Sequence, residues 1–189
     1  FMLHNTFCRR LAALVLTLAV AVSAVLPVFA VYPMPIQTAT ETEAVYLFNA
    51  DTGKTLLTQN ADQPRYVASL TKMMTALLLL ESGKDLNGEV TVPTDLTQEF
   101  KDIQNANGTT MGLRIGETVR RIDLLNALLI TSANDAASVI AWDVGGSLNA
   151  FIQQMNARAA ELGCTSATFT CAHGLYDYGN VASAEDMAK

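Results

Sequence analysis

Apolar and polar residues fall into blocks along the chain, and the spacing within each block predicts secondary structure. The first block, residues 11–30, contains no charged residue. An apolar run of strand length then begins at Ala44, and after a turn-forming segment a second short run ends at Thr58, which predicts a β-hairpin. Helical spacing follows from Ser69, and Gly83 closes this predicted helix.

The second half of the chain is dominated by apolar residues at helical spacing. One predicted helix covers residues 121–130, and another begins near Asn134 and ends at the Gly145–Gly146 pair. A further helix follows Ser147, which is predicted to be its N-cap, and ends at Gly163.

Fewer strand signals accompany these helices. A short strand is predicted at Val90–Val92 and another at Thr168–Thr170, whereas residues 94–107 are polar and fit no pattern. Ser183 and Asp186 are spaced like a capping box, so a last helix is predicted to begin there. Strands that come first, followed by several helices with little strand between them, favour an α+β fold over a doubly wound sheet.

The uncharged block near the start of the chain has the features of an export signal. The pair Arg9–Arg10 precedes it and Val28–Ala30 is a small-residue cleavage site, so residues 1–30 are predicted to be a signal peptide. Its length also allows an uncleaved transmembrane anchor. Pro27 favours cleavage, because proline breaks a helix just before that site. Residues 31–43 then form a tether, and in both cases the remaining chain is exported.

Composition and charge exclude two classes of protein. Half of the residues are hydrophobic and 16% are charged, which excludes a disordered chain and provides enough apolar material for one domain core. The net charge is −6, and lysine and arginine form no cluster beyond the predicted signal. Nucleic-acid binding is therefore not expected, since it needs clustered positive charge to neutralise phosphates.

The cysteines leave one alternative open. Export makes a disulfide between Cys164 and Cys171 feasible, although two unpaired thiols are favoured. His173 is the only histidine beyond the predicted signal. Three such residues make a poor metal site, so no metal and no other cofactor is predicted.

Candidate chemistry lies at Ser69 and Lys72. Residues three apart share one face of a helix, so the Ser69 hydroxyl is expected beside the Lys72 amine. A lysine can accept the serine proton only when it is neutral, and the apolar neighbours and the positive helix N-terminus both favour the neutral form. The backbone N–H of Ser69 could then bind a developing oxyanion.

The Ser-x-x-Lys spacing is common by chance, so a second element matters. Ser132 and Asn134 lie between two predicted apolar helices. A Ser-x-Asn turn there offers a second hydroxyl for proton transfer and an amide that both donates and accepts hydrogen bonds. Together the two elements predict a nucleophilic serine site.

The order of motifs resembles that of a known family. Residues 68–76 resemble the active-site helix of D-alanyl-D-alanine carboxypeptidases, the low-molecular-mass penicillin-binding proteins of serine peptidase family S11. Residues 124–137 resemble their second motif, residues 51–54 their hairpin turn, and residues 163–175 their stretch that ends in His-Gly-Leu. The resemblance implies a serine β-lactamase or DD-peptidase-like fold, an antiparallel sheet with a helical cluster, over residues 44–189.

The resemblance also implies roles for the site residues. Ser69 would attack a peptidoglycan stem peptide that ends in D-Ala-D-Ala, and Lys72 would accept its proton. Ser132 would relay a proton to the departing D-alanine, and Asn134 would hold the substrate amide or position Lys72. β-Lactam antibiotics would acylate Ser69 as inhibitors. His173 is interpreted as a loop-shaping residue, because this scheme needs no histidine.

Two alternatives stay open. A class A β-lactamase would need a glutamate in a loop after Asn134, but Glu161 and Glu185 lie in predicted helices. A non-enzymatic domain that recognises penicillin or the cell wall could keep the fold without turnover, although intact Ser69 and Lys72 argue against it.

The family's third motif, Lys-Thr-Gly, does not occur in this sequence. In the resembled family it follows the His-Gly-Leu stretch and completes the site. We therefore expect the chain to be a fragment truncated before that motif, and expect this fragment alone to be inactive or not stably folded. Membrane association through the missing C-terminal part would be compatible with this picture.

Overall fold

The computed structural model describes residues 42–175 and 177–189. The predicted signal peptide and nearly all of the predicted tether lie outside the described residues. Within the described part of the chain, no helix is long and apolar enough to span a membrane.

A β-hairpin opens the described part of the chain, as predicted. Strand β1 (Val45–Phe48) pairs antiparallel with β2 (Thr55–Gln59). The turn between them closes where Gly53 N–H donates to the Asn49 carbonyl at 2.8 Å. Gly53 has φ +66°, a left-handed conformation that glycine adopts without a steric penalty.

The helices follow the hairpin, and most of them begin close to the predicted positions. The bounds of the helices are α1 (Thr71–Glu81), α2 (Thr97–Asn105), α3 (Arg121–Ile130), α4 (Asn134–Gly145), α5 (Leu148–Glu161) and α6 (Ala184–Met187). The Oγ of Ser147 accepts from Ala150 N–H at 3.1 Å, and the Oγ of Ser183 accepts from Asp186 N–H at 3.0 Å. Both predicted caps are therefore confirmed.

Helix α4 lies at the centre of the core. Its first two turns are buried all round, with Ala136, Ala137 and Val139 fully inaccessible to solvent. Helices α1, α2, α3 and α5 all pack against it. Small alanine side chains let the neighbouring helices approach closely, and a helix that is buried on all faces holds the residues at its N-terminus in a fixed position.

Two regions differ from the sequence prediction. The polar segment 94–107 contains a 3-10 turn (Thr94–Leu96) and helix α2, whose Ile103 is 2% exposed and anchors it to the core. The sequence does not reveal this helix because few apolar residues mark the buried face of α2. The predicted strand at Thr168–Thr170 is wrong as a strand, since only Thr168 forms a bridge, with Val181.

The other strands form two more antiparallel pairs. Strand β3 (Arg65–Tyr66) pairs with β6 (Val181–Ala182), and β4 (Glu89–Thr91) pairs with β5 (Thr118–Arg120). Among the described residues the strands thus form three two-stranded antiparallel sheets beside the helices, an α+β arrangement. The β3–β6 pair joins the segment before α1 to the last described segment.

Candidate active site

Ser69 lies in a 3-10 turn, Ala68–Leu70, directly before α1. The predicted helix start at Ser69 is therefore two residues too early. Ala68 has φ +47°, a left-handed conformation that costs a non-glycine residue of order 1–3 kcal/mol. Ser69 is exposed, and the turn presents its hydroxyl at the N-terminal end of α1.

Two residues far along the chain hold this turn in place. Thr71 Oγ1 donates to the Ala68 carbonyl at 2.7 Å, and the side-chain amide of Asn180 donates to Thr71 Oγ1 at 2.5 Å. Gly174, with φ +74°, packs so closely that a Cβ there would overlap the Ala68 carbonyl oxygen. Only glycine fits at this contact.

Lys72 is buried on the first turn of α1, and 2% of its surface is exposed. Its Nζ donates to Ser69 Oγ at 3.2 Å, to Asn134 Oδ1 at 2.8 Å and to the His173 carbonyl at 2.7 Å. Burial lowers the pKa of Lys72 to about 8, while the nearby Cys171 acts in the opposite direction. The expectation that Lys72 is driven towards its neutral form agrees with this environment.

Ser132 lies in the connection between α3 and α4. It has φ +57°, again left-handed for a non-glycine residue. The Thr131 and Ala133 N–H groups both donate to the Ala127 carbonyl, which fixes the connection against the end of α3. Ser132 Oγ lies 3.0 Å from Ser69 Oγ, so the second hydroxyl faces the first as predicted.

Asn134 is the first residue of α4 and is 4% exposed. Its Nδ2 donates to the Thr109 carbonyl at 3.0 Å, which orients Oδ1 towards Lys72. Both ends of this amide are therefore engaged within the protein. The contact with Lys72 corresponds to one of the two roles considered for Asn134, the positioning of Lys72.

The neighbouring Asp135 braces a loop beside the site. Its carboxylate accepts from the backbone N–H groups of Met111, Gly112 and Leu113, each at 3.0 Å. Asp135 is 2% exposed, so these hydrogen bonds satisfy a buried carboxylate. Helix α4 thus fixes both the Ser132–Asn134 element and the loop that carries Thr109.

The segment Ala172–Gly174 supplies contacts that the sequence does not predict. Its three consecutive carbonyl groups each accept a hydrogen bond from a side chain near the start of α1. The donors are Thr75 Oγ1 to Ala172 at 2.6 Å, Lys72 Nζ to His173 at 2.7 Å and Tyr66 OH to Gly174 at 2.6 Å. The sequence signal for this segment is the His-Gly-Leu match, but residue type alone cannot show which backbone carbonyl meets Lys72.

The imidazole of His173 contacts Glu99 on α2. The two side chains lie 2.9 Å apart, between Nε2 and Oε1, and Leu175 N–H lies 2.9 Å from Nδ1. Burial opposes protonation, but hydrogen bonds with Cys171 and Glu99 outweigh it and raise the pKa of His173 to about 9. Nε2–H is donated to Glu99 in both protonation states, whereas the Leu175 N–H can donate to Nδ1 only in the neutral ring that forms above this pKa.

Both described cysteines are free thiols, which fits the favoured interpretation over a disulfide. No group of three or more histidine, cysteine or acidic side chains among the described residues is arranged to hold a metal ion.

An open cavity of about 440 Å³ lies beside the two hydroxyl groups. Ser69, Lys72 and Ser132 line its polar end, and Leu128 and Leu129 are among its apolar lining. Asn134 lies directly behind Lys72, so the four predicted site residues are brought together at one side of the cavity. A carbonyl compound in this cavity could reach Ser69 Oγ, with Lys72 and Ser132 both within hydrogen-bonding distance of that oxygen.

Comparison with known proteins agrees with this geometry. The family model for D-alanyl-D-alanine carboxypeptidase matches residues 32–189. The chain belongs to this family. Similar relatives include D-alanyl-D-alanine carboxypeptidase DacF of Bacillus subtilis, 33% identical over 79% of this chain and 38% of that protein. A D-alanyl-D-alanine endopeptidase of Pseudomonas aeruginosa is 32% identical over 92% of this chain and 53% of that protein.

Solved structures show the same relationship. The Streptomyces K15 DD-transpeptidase matches with a TM-score of 0.69 and 31% identity, over 76% of this chain and 57% of that one. Penicillin-binding protein 5 of Haemophilus influenzae matches with a TM-score of 0.63 and 32% identity, over 72% of this chain and 40% of that one. The chain spans 38% to 57% of the length of these relatives. The predicted family and fold are confirmed.

Proposed function

We propose that this chain carries the nucleophile and its activating groups for a serine D-Ala-D-Ala carboxypeptidase that acts on peptidoglycan stem peptides. The contact of Ser69 Oγ with both Lys72 Nζ and Ser132 Oγ, at 3.2 and 3.0 Å, is the observation that carries this proposal. Membership of the D-alanyl-D-alanine carboxypeptidase family supports the substrate class.

Activation of the nucleophile follows from the contacts of Lys72. Neutral Lys72 has two N–H bonds and one lone pair. Asn134 Oδ1 and the His173 carbonyl accept the two N–H groups, so the lone pair is left to face the Ser69 hydroxyl. Ser69 Oγ then attacks the carbonyl carbon of the penultimate D-alanine while its proton passes to Lys72 Nζ.

The leaving group needs a proton in the next step. As the bond to the terminal D-alanine breaks, its nitrogen takes a proton from Ser132 Oγ, and the Lys72 ammonium returns the proton it took from Ser69 to Ser132 Oγ. Water then attacks the acyl-enzyme ester, which releases the shortened peptide and returns the Ser69 hydroxyl. A β-lactam would acylate Ser69 through the same first step.

A substitution at Ser69 tests the proposal. We expect Ser69→Ala in the complete gene product to abolish labelling by fluorescent penicillin and D-alanine release from a stem peptide. Thr71→Ser is the matched control, because it keeps the hydroxyl beside the same turn, and it should retain both activities. Equal labelling of Ser69→Ala and wild type would refute the nucleophile assignment. Labelling of wild type without cleavage of either a monomeric stem peptide or a cross-linked peptide would favour a non-enzymatic penicillin-binding domain.

A second candidate is an endopeptidase that cleaves an internal D-alanyl bond. The match to the Pseudomonas aeruginosa endopeptidase favours it, because that match covers more of this chain than the match to DacF does. Parallel assays with a monomeric pentapeptide and a cross-linked peptide separate the two. Release of free D-alanine from the monomer supports the carboxypeptidase, whereas cleavage confined to the cross-link supports the endopeptidase.

The proposed substrate also implies where in the cell the protein acts. Peptidoglycan lies outside the cytoplasmic membrane, so the enzyme must be exported, as the predicted signal peptide at residues 1–30 would provide. Cell fractionation tests this proposal: penicillin-labelled protein found only in the cytoplasmic fraction would contradict it.

A further inference from the structure

We propose that Glu99 and His173 form a positioning pair that holds Lys72 against Ser69. The pair lies outside the predicted site, on α2 and on the Ala172–Gly174 segment. His173 contributes its backbone carbonyl to Lys72 and its imidazole to Glu99, so one residue joins the two contacts. The kinetic part of this inference rests on the proposed function.

The contacts around the pair fix His173 from both sides. Glu99 Oε1 accepts from His173 Nε2 and also from Ser138 Oγ of α4, at 2.9 and 3.0 Å. Leu175 N–H donates to His173 Nδ1, which prevents rotation of the ring. His173 is 7% exposed, so water cannot easily replace these partners.

The position of the His173 carbonyl matters because this carbonyl helps to orient the Lys72 amine. A neutral lysine aims its lone pair at Ser69 only while both of its N–H groups have fixed acceptors. Asn134 Oδ1 is one acceptor and is held by Thr109; the His173 carbonyl is the other. Without Glu99, the Ala172–Gly174 segment could shift, and displacements of about 1 Å in such an arrangement cost up to about 100-fold in rate.

The surrounding charges are few, so the effect of Glu99 can be isolated. The titratable groups that face His173 are Glu99 and Asp102 on α2, Lys72 on α1, and Cys171 and Asp177 on the segment that carries His173. Glu99 is the one of these with a hydrogen bond to Nε2. Substitutions at Glu99 therefore change two defined contacts, one with His173 Nε2 and one with Ser138 Oγ.

The test compares Glu99→Leu with Glu99→Gln, which keeps an oxygen acceptor for Nε2–H, in the complete gene product. Glu81→Leu is the matched control, because Glu81 pairs with Arg158 at the far end of α1. We expect Glu99→Leu to slow acylation by fluorescent penicillin roughly 10- to 100-fold, while Glu99→Gln and Glu81→Leu stay within about threefold of wild type. If Glu99→Leu does not fold, Glu99→Asp replaces it and should slow acylation in the same direction.

A second readout does not depend on activity. In protein with 13Cε-labelled lysine, an NMR titration reports the pKa of Lys72, and Lys72→Ala identifies its signal. We expect Glu99→Leu to move this pKa from about 8 towards the ordinary lysine value of 10.5, because a loosened segment admits water to Nζ.

The two readouts separate the proposals. An unchanged Lys72 titration and unchanged acylation in Glu99→Leu would overturn the positioning pair and leave the proposed function intact. Slower acylation with an unchanged titration would also overturn it, since that pattern indicates only a general structural role. If the Lys72 titration shifts in Glu99→Leu but penicillin does not label even the wild-type protein, the result would support the pair and refute the proposed function.

Discussion

At the scale of single residues, Lys72 determines what Ser69 can do. An exposed lysine is protonated at neutral pH and cannot accept a proton, so an adjacent serine would remain unreactive. Here burial favours the neutral form, while two fixed acceptors orient the amine. The two acceptors and the Ser69 oxygen would together satisfy the three N–H groups of an ammonium. Lys72 therefore has partners both before and after it takes the proton.

This arrangement predicts a pH profile. Only neutral Lys72 can accept the Ser69 proton, and its pKa is about 8, so acylation should rise about tenfold per pH unit below pH 8 and level off above it. Stopped-flow measurements with fluorescent penicillin between about pH 5.5 and 9.5 would show this limb. The direction follows from the base role, since protonation removes the lone pair. A rate that is constant across this range, or that falls as pH rises, would contradict it.

At the same scale, the sequence identifies the four candidate side chains but not their partners. Ser69, Lys72, Ser132 and Asn134 follow from two short motifs, because side-chain chemistry is visible in residue type. The role of the His173 carbonyl group is not visible in residue type, since every residue carries a backbone carbonyl. Long-range packing decides which carbonyl lies at 2.7 Å from Nζ, and one sequence alone does not contain that distance.

At the scale of elements, the site depends on the turn before α1. Hydrophobic spacing locates α1 but places its start at Ser69, because a 3-10 turn continues a helical pattern for one more turn. Ala68 in this turn has a left-handed backbone conformation, which helical spacing does not reveal. Such conformations depend on contacts from other segments, and Gly174 provides one that leaves no room for a Cβ.

Gly174→Ala should therefore destabilise the turn. A methyl group there would overlap the Ala68 carbonyl, so we expect a loss of about 2–3 kcal/mol in the free energy of unfolding and a loss of acylation. Gly163→Ala is the control. The φ of Gly163 is also positive, at +77°, but no atom lies within 4 Å of the place that a Cβ would occupy. We therefore expect Gly163→Ala to lower the free energy of unfolding by about 1 kcal/mol and to retain acylation. Urea unfolding and penicillin labelling measure both. Equal effects of the two substitutions would exclude a specific role for the Gly174 contact.

At the scale of the whole chain, the site joins segments about 100 residues apart. The turn that carries Ser69 contacts the last described segment through β3 and β6, through Gly174 and through Asn180. Helices can be predicted from local spacing, but the two-residue strands β3 and β6 are too short to show a pattern of their own. Their pairing, and with it the assembly of the site, is therefore not predictable from the sequence.

Asn180 is the residue where this connection can be tested. It is fully buried; its carbonyl accepts from Val67 N–H at 3.4 Å, and its side-chain amide donates to Thr71 on the other side of the Ser69 turn. Asn180→Leu keeps a similar volume but leaves Thr71 Oγ1 without this donor. We expect a loss of about 2–3 kcal/mol in the free energy of unfolding and at least roughly tenfold slower acylation in the folded protein.

Asn156→Leu provides the comparison on another part of the chain. Asn156 also joins distant segments through its amide, which contacts the backbone of Phe169, but these contacts lie on α5 and do not touch the Ser69 turn. It should lose a similar amount of stability and keep near-normal acylation at temperatures where it is folded. If both variants lose acylation in proportion to stability, the turn depends only on global folding. If Asn180→Leu alone loses acylation while it is still folded, the last described segment directly holds the nucleophile in place.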